Sequence, residues 1–547
     1  MSLIRFENVS KYYDDLPVLR EVYFHLDEGD RVGLIGKNGT GKTTLLKLIL
    51  GQEAPTEGEV ALDQGLQIGY FSQFSTLDGG RSIWQTLDDL FADLHAIEEE
   101  LLEVEIALEE GPDKVEMDRL LHRQAALIET MNRRGGWTYQ NEIDTALTRL
   151  GFNEVYRTCP VDQLSGGWRN RAALSKILLQ APDVLLMDEP TNFLDIEGLD
   201  WLEEYFAKHR GALIVVSHDR HFLDRVVNRV VEVENYHLQE YSGGFADYVR
   251  EKPFRLKTLE RQFQHEEELL TYEAEAIADR REAAKNPSQA LKRKLAGIKK
   301  EVQPRPVDRI VTDIYEGLQV SNKLCRVEAI AKSYGDQVLF RDLYFEVQRG
   351  DRIAIIGPNG CGKTTLLRAL TQSEEPLGAE RAFDAGRVAW AKSADLIYYN
   401  EVFENLDLND TVTHAVNVVG LAYAAPRKKV NRFLELMRFS ELDLQQRIGT
   451  LSGGQRARVA LAQCLLSGAS VIVLDEPTNH LDLTSTQVME RALIHFPGAV
   501  VVVSHDRFFI DKVATRLLIF EGQGRVREVA GNWTLWQASL DKKLDID

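Results

Sequence analysis

With 547 residues the chain is too long for one hydrophobic core, so two or more domains are expected. Its composition, 44% hydrophobic and 27% charged, is that of an ordinary globular protein, and no stretch approaches the roughly 20 apolar residues that span a bilayer. A net charge of −20 argues against nucleic acid as a partner unless positive charge is concentrated locally.

The first residues, Met-Ser-Leu-Ile-Arg-Phe-Glu-Asn, run directly into an alternating strand pattern with no apolar leader. Cys159, Cys325, Cys361 and Cys464 lack the CxxC spacing of a zinc site or a disulfide framework, so a reducing, cytoplasmic setting is expected. Asp30-Arg-Val-Gly-Leu-Ile reads as a strand, Gly36-Lys-Asn-Gly-Thr-Gly-Lys-Thr-Thr44 as a glycine loop, and Leu45-Leu-Lys-Leu-Ile as the start of a helix. Strand, loop and helix are the context of a phosphate-binding loop. Gly36, Asn38, Gly39, Gly41 and Thr44 let backbone N–H groups curl around the phosphates of ATP. Lys42 reaches the terminal phosphates and Thr43 offers a hydroxyl to Mg²⁺.

Apolar residues at Leu90, Leu94, Ile97, Leu101, Val104 and Leu108 follow a 4-3-4-3-4 spacing, which predicts one stripe of a helix. Gly111-Pro112 breaks it, and Leu120, Leu121, Leu127, Ile128 and Met131 predict a return helix. Ten Asp and Glu against one lysine between Glu98 and Asp118 make the first helix acidic, better suited to a basic protein than to RNA. Arg119, Arg123, Arg133 and Arg134 are the better RNA candidates on this hairpin.

Further on come Leu164-Ser165-Gly166-Gly167 and the apolar run Val184-Leu-Leu-Met-Asp188. Such a run ending in an acid reads as a buried parallel strand. Asp188 is the expected Mg²⁺ partner, and Glu189 stands where a carboxylate orients or deprotonates the attacking water. His218 follows a second strand of this kind, 29 residues after Glu189.

The whole set then recurs. The loop returns as Gly357-Pro-Asn359-Gly360-Cys-Gly362-Lys363-Thr364-Thr365, the second motif as Ser452-Gly453-Gly454, the acids as Asp475 and Glu476, and the histidine as His505. The offset falls from 321 to 287, so the chain is a tandem duplication whose first copy is longer between Gln73 and Leu164. Between the copies, Leu256, Phe263, Leu270 and Ile277, a turn at Asn286-Pro287, then Leu291, Leu295, Ile298 and Val302 predict another helical hairpin. Residues 280–309 hold ten Lys and Arg against three acids, with Lys292, Arg293, Lys294, Lys299 and Lys300 at the centre. That local charge suits RNA phosphate despite the global balance.

These motifs resemble the ATP-binding-cassette superfamily over nearly the whole chain outside the two hairpins. The resemblance implies an α/β fold of two tandem P-loop domains hydrolysing ATP with Mg²⁺. It also implies composite sites, in which the Leu-Ser-Gly-Gly of one domain closes over the ATP of the other. One site then joins Lys42, Thr43, Gln73, Asp188, Glu189 and His218 to Ser452 and Gly454. Its twin joins Lys363, Thr364, Asp475, Glu476 and His505 to Ser165 and Gly167. Tyr13 and Tyr334 match the aromatic that stacks on adenine, Gln73 the glutamine that meets Mg²⁺, and Asp195 and Asp482 the loop that touches the opposite domain.

The wording Asp-Glu-Pro-Thr-Asn-[Phe193 or His480]-Leu-Asp is similar to that of the ABC-F subfamily, as are Leu-Ser-Gly-Gly-Trp168 and Leu-Ser-Gly-Gly-Gln455. This likeness implies domains at 1–244 and 323–547, an arm insertion near 88–136 and a linker at 245–322. It further implies a monomer without membrane insertion that binds the ribosome, meeting rRNA, tRNA and a basic ribosomal protein, as a translation factor or an antibiotic-resistance protein. The rival readings are the motor subunit of a transporter with separate membrane subunits and a DNA-repair ATPase. The second copy departs from the family pattern where Glu401, or Ser393 on another alignment, replaces the glutamine.

Overall fold

The computed structural model describes residues 2–14, 16–37, 39–72, 80–255, 258, 322–335, 337–371, 383–399, 406–422, 427–437, 439–478, 481 and 483–544. They divide into two compact units, one formed from Met1–Glu240 with Gly357–Gly360 and one from Tyr241–Ile356 with Cys361–Asp547. The linker hairpin, its five basic candidates, Asn38, Gln73, Glu401 and Asp482 lie outside the described residues.

Each unit carries a three-stranded antiparallel sheet beside a six-stranded, mainly parallel one. In the first unit β1 (Ser2–Tyr13) pairs with β2 (Leu16–Asp27) and β4 (Glu57–Leu62). The larger sheet runs β5-β6-β7-β3-β8-β9, with β3 at Arg31–Gly36, β5 at Ile68–Phe71, β6 at Val184–Asp188, β7 at Ala212–Val216, β8 at Arg229–Glu234 and β9 at His237–Ser242. Val184, Leu185, Leu186 and Met187 are fully buried, as a strand covered on both faces requires.

The second unit repeats this order. Strand β10 (Lys323–Tyr334) pairs with β11 (Gln337–Gln348) and β13 (Ala385–Trp390). The large sheet runs β14-β15-β16-β12-β17-β18, from β12 (Arg352–Ile356), β14 (Leu396–Tyr399), β15 (Val471–Asp475), β16 (Ala499–Val503), β17 (Arg516–Gly522) and β18 (Arg525–Ala530). Ile68 pairs with Val184 in one copy and Leu396 with Val471 in the other. That register makes Ile68 equivalent to Leu396, so Gln73 corresponds to Glu401. The alternative through Ser393 falls away, because Ser393 lies in the turn before β14.

The predicted arm is present as two helices, α3 (Ala92–Glu109) and α4 (Lys114–Arg134), which follow α2 (Ile83–Asp88). Leu94 and Val104 are buried on α3, and Leu127 and Met131 on α4. The first residue of the stripe, Leu90, precedes the helix, because Asp89–Phe91 form a 3₁₀ turn between α2 and α3. Asp113 caps α4 by accepting from the N–H groups of Val115 and Glu116, and Gly135, at φ 67°, ends it in the left-handed region. The arm's four arginines are all ion-paired within it: Arg123 to Glu100 at 2.5 Å, Arg134 to Asp93 at 3.2 Å, Arg119 to Glu116 at 3.7 Å and Arg133 to Glu129 at 3.9 Å.

After the arm come α5 (Tyr139–Arg149), α6 (Glu154–Thr158), α7 (Gly166–Leu179), α8 (Ile196–Lys208) and α9 (Arg220–Val226), with α1 (Lys42–Ile49) behind the first glycine loop. The second unit has α10 (Lys363–Thr371), α11 (Val412–Ala422), α12 (Arg427–Leu436), α13 (Glu441–Gln445), α14 (Gly453–Leu466), α15 (Leu483–Ile494), α16 (Arg507–Val513) and α17 (Trp533–Leu544). Between α11 and α12 there are four residues where the first copy holds the whole of α3 and α4.

Candidate nucleotide sites

In both copies the glycine loop joins the central strand of the parallel sheet, β3 or β12, to its helix. Gly36, Gly39 and Gly41 have φ of 151°, 81° and 105°, and Gly357, Gly360 and Gly362 have φ of 153°, 77° and 108°. These values belong to glycine. A Cβ on Gly36 would also stand 2.8 Å from the carbonyl oxygen of Val233, and one on Gly362 2.9 Å from Cβ of Leu339. Backbone N–H groups are therefore presented at the N-terminus of α1 and of α10, a natural seat for phosphate.

Lys42 opens α1 and its Nζ donates to the carbonyls of Gly36 at 2.8 Å and Lys37 at 3.0 Å. The ammonium is thus curled over the loop that a phosphate would occupy. Lys363 holds the same place in α10 and is buried. Thr44, Asn359 and Thr365 belong to the same two loops and helix starts.

Thr43 Oγ1 lies 3.4 Å from Oδ2 of Asp188, and Thr364 Oγ1 3.3 Å from Oδ1 of Asp475. A hydroxyl and a carboxylate are the hard oxygen ligands that Mg²⁺ takes from a protein when phosphates and waters complete the octahedron. Among the described residues no cluster of three or more His, Cys, Asp or Glu is placed to hold a metal by itself. Two protein oxygens leave the rest of an octahedron to phosphate and water, so the pair fits an ion that arrives with nucleotide.

Glu189 follows the end of β6 in the left-handed region, φ 54° and ψ 54°, and Glu476 does the same after β15 at φ 45°. The Glu189 main-chain N–H donates to the carbonyl of Val216 at 2.8 Å and that of Glu476 to Val503 at 3.0 Å, which ties each residue to the end of the adjacent strand. His218 Nε2 stands 3.2 Å from Glu189 Oε1, and His505 Nε2 3.4 Å from Glu476 Oε1. The His505 N–H also donates to Glu476 Oε2 at 3.3 Å. Burial, with the charge of Asp188 next, pushes the Glu189 carboxyl up to about 8. Burial also raises Asp188, opposed by Lys42 and the Thr43 hydroxyl.

Tyr13 and Tyr334 end β1 and β10 about half exposed, with Lys11 over one ring and Lys332 over the other. The Tyr13 hydroxyl donates to Glu53 at 2.5 Å, and that hydrogen bond holds the Glu53 carboxyl below its usual range. Ser165 and Ser452 are N-caps, with Gly166 and Gly167 opening α7, and Gly453 and Gly454 opening α14. Ser452 shares a capping box with Gln455. Ser165 has no side-chain cap bond, and Trp168, which stands in the glutamine's place and stacks on Tyr156, cannot supply the reciprocal side-chain bond of a capping box.

Two structural residues escaped sequence reasoning: Arg352, whose guanidinium is buried under α15, and Tyr398, whose hydroxyl meets Asp475. Their only sequence signal was equivalence to Arg31 and Tyr70 by the repeat.

The ABC transporter family model matches residues 19–192 and 340–479. The chain is 31% identical over 97% of its length to the energy-dependent translational throttle protein EttA of Escherichia coli K12, covering 94% of that protein. It is 34% identical over 98% of its length to the uncharacterized ABC transporter ATP-binding protein YfmR of Bacillus subtilis, covering 83%. ABC transporter F family member 5 of Arabidopsis thaliana is 32% identical over 99% of this chain and 78% of its own. Among solved structures, the RNase-L inhibitor shares the fold, with a TM-score of 0.62 at 20% identity over 97% of this chain and 93% of its own. Two phosphate loops with their acids, on a duplicated sheet of this order, thus belong to a chain that hydrolyses ATP and is a member of the ABC-F subfamily of ATP-binding-cassette proteins.

Proposed function

We propose that this ATPase works on the ribosome, in translation. The carrying observation is the helical arm of α3 and α4, present in the first copy and replaced by four residues in the second, on a chain that matches the translational throttle proteins almost end to end. A transporter motor has no evident use for an acidic hairpin of this length. No helix among the described residues is long and apolar enough to cross a membrane.

In this reading the domains span 1–244 and 323–547, with the linker at 245–322, and ATP is bound between them. Lys42 and Lys363 draw the terminal phosphates. Thr43 with Asp188, and Thr364 with Asp475, hold Mg²⁺, which neutralises charge on the phosphates when bound. Glu189 and Glu476 take a proton from, or orient, the attacking water, and His218 and His505 fix their carboxylates. Ser165 to Gly167 and Ser452 to Gly454 each close the opposite site, so that ATP joins the domains and hydrolysis releases them. The acidic first helix of the arm suits a basic protein surface, while Arg119, Arg123, Arg133 and Arg134, in exposed ion pairs, and the lysines and arginines of 280–309 are the RNA candidates.

The test is to replace Glu189 and Glu476 together by glutamine, add ATP, and sediment the protein with ribosomes. Co-sedimentation that depends on ATP is expected. Protein that binds ATP yet stays in the supernatant would overturn the ribosome assignment while leaving the ATPase intact.

A further inference from the structure

Tyr70 and Tyr398 occupy the same place in the two copies, paired with Leu186 in β6 and with Val473 in β15. Their hydroxyls have different partners. The Tyr398 hydroxyl donates to Oδ2 of Asp475 at 3.2 Å. The Tyr70 hydroxyl is instead hydrogen-bonded to the side chain of Ser72. The neighbouring cations differ in step. Lys47 on α1 reaches Glu53 at 3.3 Å, whereas its counterpart Arg368 on α10 is hydrogen-bonded to Tyr398.

The two oxygens of Asp475 are thereby held from opposite sides, Oδ1 by Thr364 and Oδ2 by Tyr398. A carboxylate with a donor on each oxygen cannot rotate freely about its terminal torsion, so the oxygen beside Thr364 stays there. Asp188 has a hydroxyl, that of Thr43, on Oδ2, and Tyr70 is turned to Ser72. Hydrogen bonds that orient a metal-binding carboxylate act on affinity, because they remove the freedom the ion would otherwise have to freeze.

We infer that Tyr398 is a positioning residue for the Mg²⁺-binding carboxylate of the second copy, a support that Tyr70, bonded to Ser72, does not give Asp188 in the first. The inference rests on the reading that Asp475 and Thr364 hold the ion. Arg368 fixes the direction of the hydroxyl, and the pair gives the second copy a preset metal ligand in the unit where Glu401 stands in place of glutamine.

The full chain with ADP is titrated with Mn²⁺, read by its electron paramagnetic resonance signal, so that no turnover enters. Asp188→Asn removes the ion of the first copy and leaves that of the second. In that background Tyr398→Phe, which keeps the ring, is expected to weaken Mn²⁺ by about tenfold. In an Asp475→Asn background Tyr70→Phe should leave the remaining ion within about twofold of its parent, since its hydroxyl serves Ser72. Coincident titrations for Tyr398→Phe and its parent would overturn the inference. Should Asp475→Asn retain both ions, the assignment of Mg²⁺ to that carboxylate fails first, a result distinct from unchanged binding in Tyr398→Phe. Without metal or nucleotide Tyr398→Phe should melt slightly below its parent, since one hydrogen bond to a buried carboxylate is lost. A lower melting temperature together with unchanged Mn²⁺ binding would give the hydroxyl a structural role and also overturn the inference.

Discussion

His218 Nε2 lies 3.2 Å from Oε1 of Glu189, against a carboxyl that burial and Asp188 push up to about 8. Burial and the neighbouring charge thus favour the protonated side chain in the nucleotide-free protein. Because its folded value lies above its unfolded one, the unfolded chain binds fewer protons between the two, and the group's contribution to stability falls as pH rises from about 4.5 to about 8. Glu189→Gln mimics the neutral acid. It should leave stability unchanged at the acid end of that window and raise it by at least about 1 kcal/mol at the alkaline end. Thermal melting across the pH window, without nucleotide, measures the difference.

The two sites are expected to turn over unequally, the second more slowly, because Glu401 puts a carboxylate where the first copy has Gln73. Steady-state phosphate release from Glu189→Gln and Glu476→Gln separates them. The first substitution should remove the larger share of activity, and equal losses would refute the asymmetry.

Arg352 and Arg31 are equivalent, yet they are embedded differently. The buried Arg352 donates to the carbonyls of Leu493 at 2.8 Å, Gly498 at 2.8 Å and Ile494 at 3.3 Å, as well as to Phe496, closing the C-terminus of α15. Arg31 makes one such bond, to Ala207 at 3.1 Å, in an exposed setting. Arg352→Met should destabilise by about 3 kcal/mol, because it strands buried carbonyls. Arg31→Met should cost under about 1 kcal/mol, and thermal melting of the two variants gives the comparison.

Trp168 and Gln455 fill the same helix position by different physics. Trp168 stacks on Tyr156 with ring centroids 4.4 Å apart and carries the Arg171 guanidinium at 4.7 Å. Gln455 completes the capping box of Ser452 and donates to Asp443 at 3.2 Å. Trp168→Ala should cost about 2 kcal/mol through lost packing, and Gln455→Ala about 1 kcal/mol through the lost cap. The same melting assay checks both. Only Gln455→Ala should also weaken the hold on the signature serine, read as a raised KM for ATP.

The sequence by itself determined the duplication, the phosphate loops and the acids, because each depends on local geometry: glycines at fixed spacing, a strand ending in aspartate, a helix start. It also determined the arm, since a stripe at helical spacing broken by Gly111-Pro112 permits little besides two antiparallel helices. The 3₁₀ turn at Asp89–Phe91 was not legible, since its apolar residues continue the same period. The repeat in the sequence already set Ile68 against Leu396 with Ser393 as the alternative, and strand register removed that alternative. Only the tertiary structure distinguished Tyr398 from Tyr70 and Arg352 from Arg31. Identical residue types at equivalent positions have different partners: Tyr398 reaches Asp475 and Arg352 the carbonyl of Phe496, both far along the chain, whereas Tyr70 meets Ser72 two residues on, and only the packed structure decides between such neighbours.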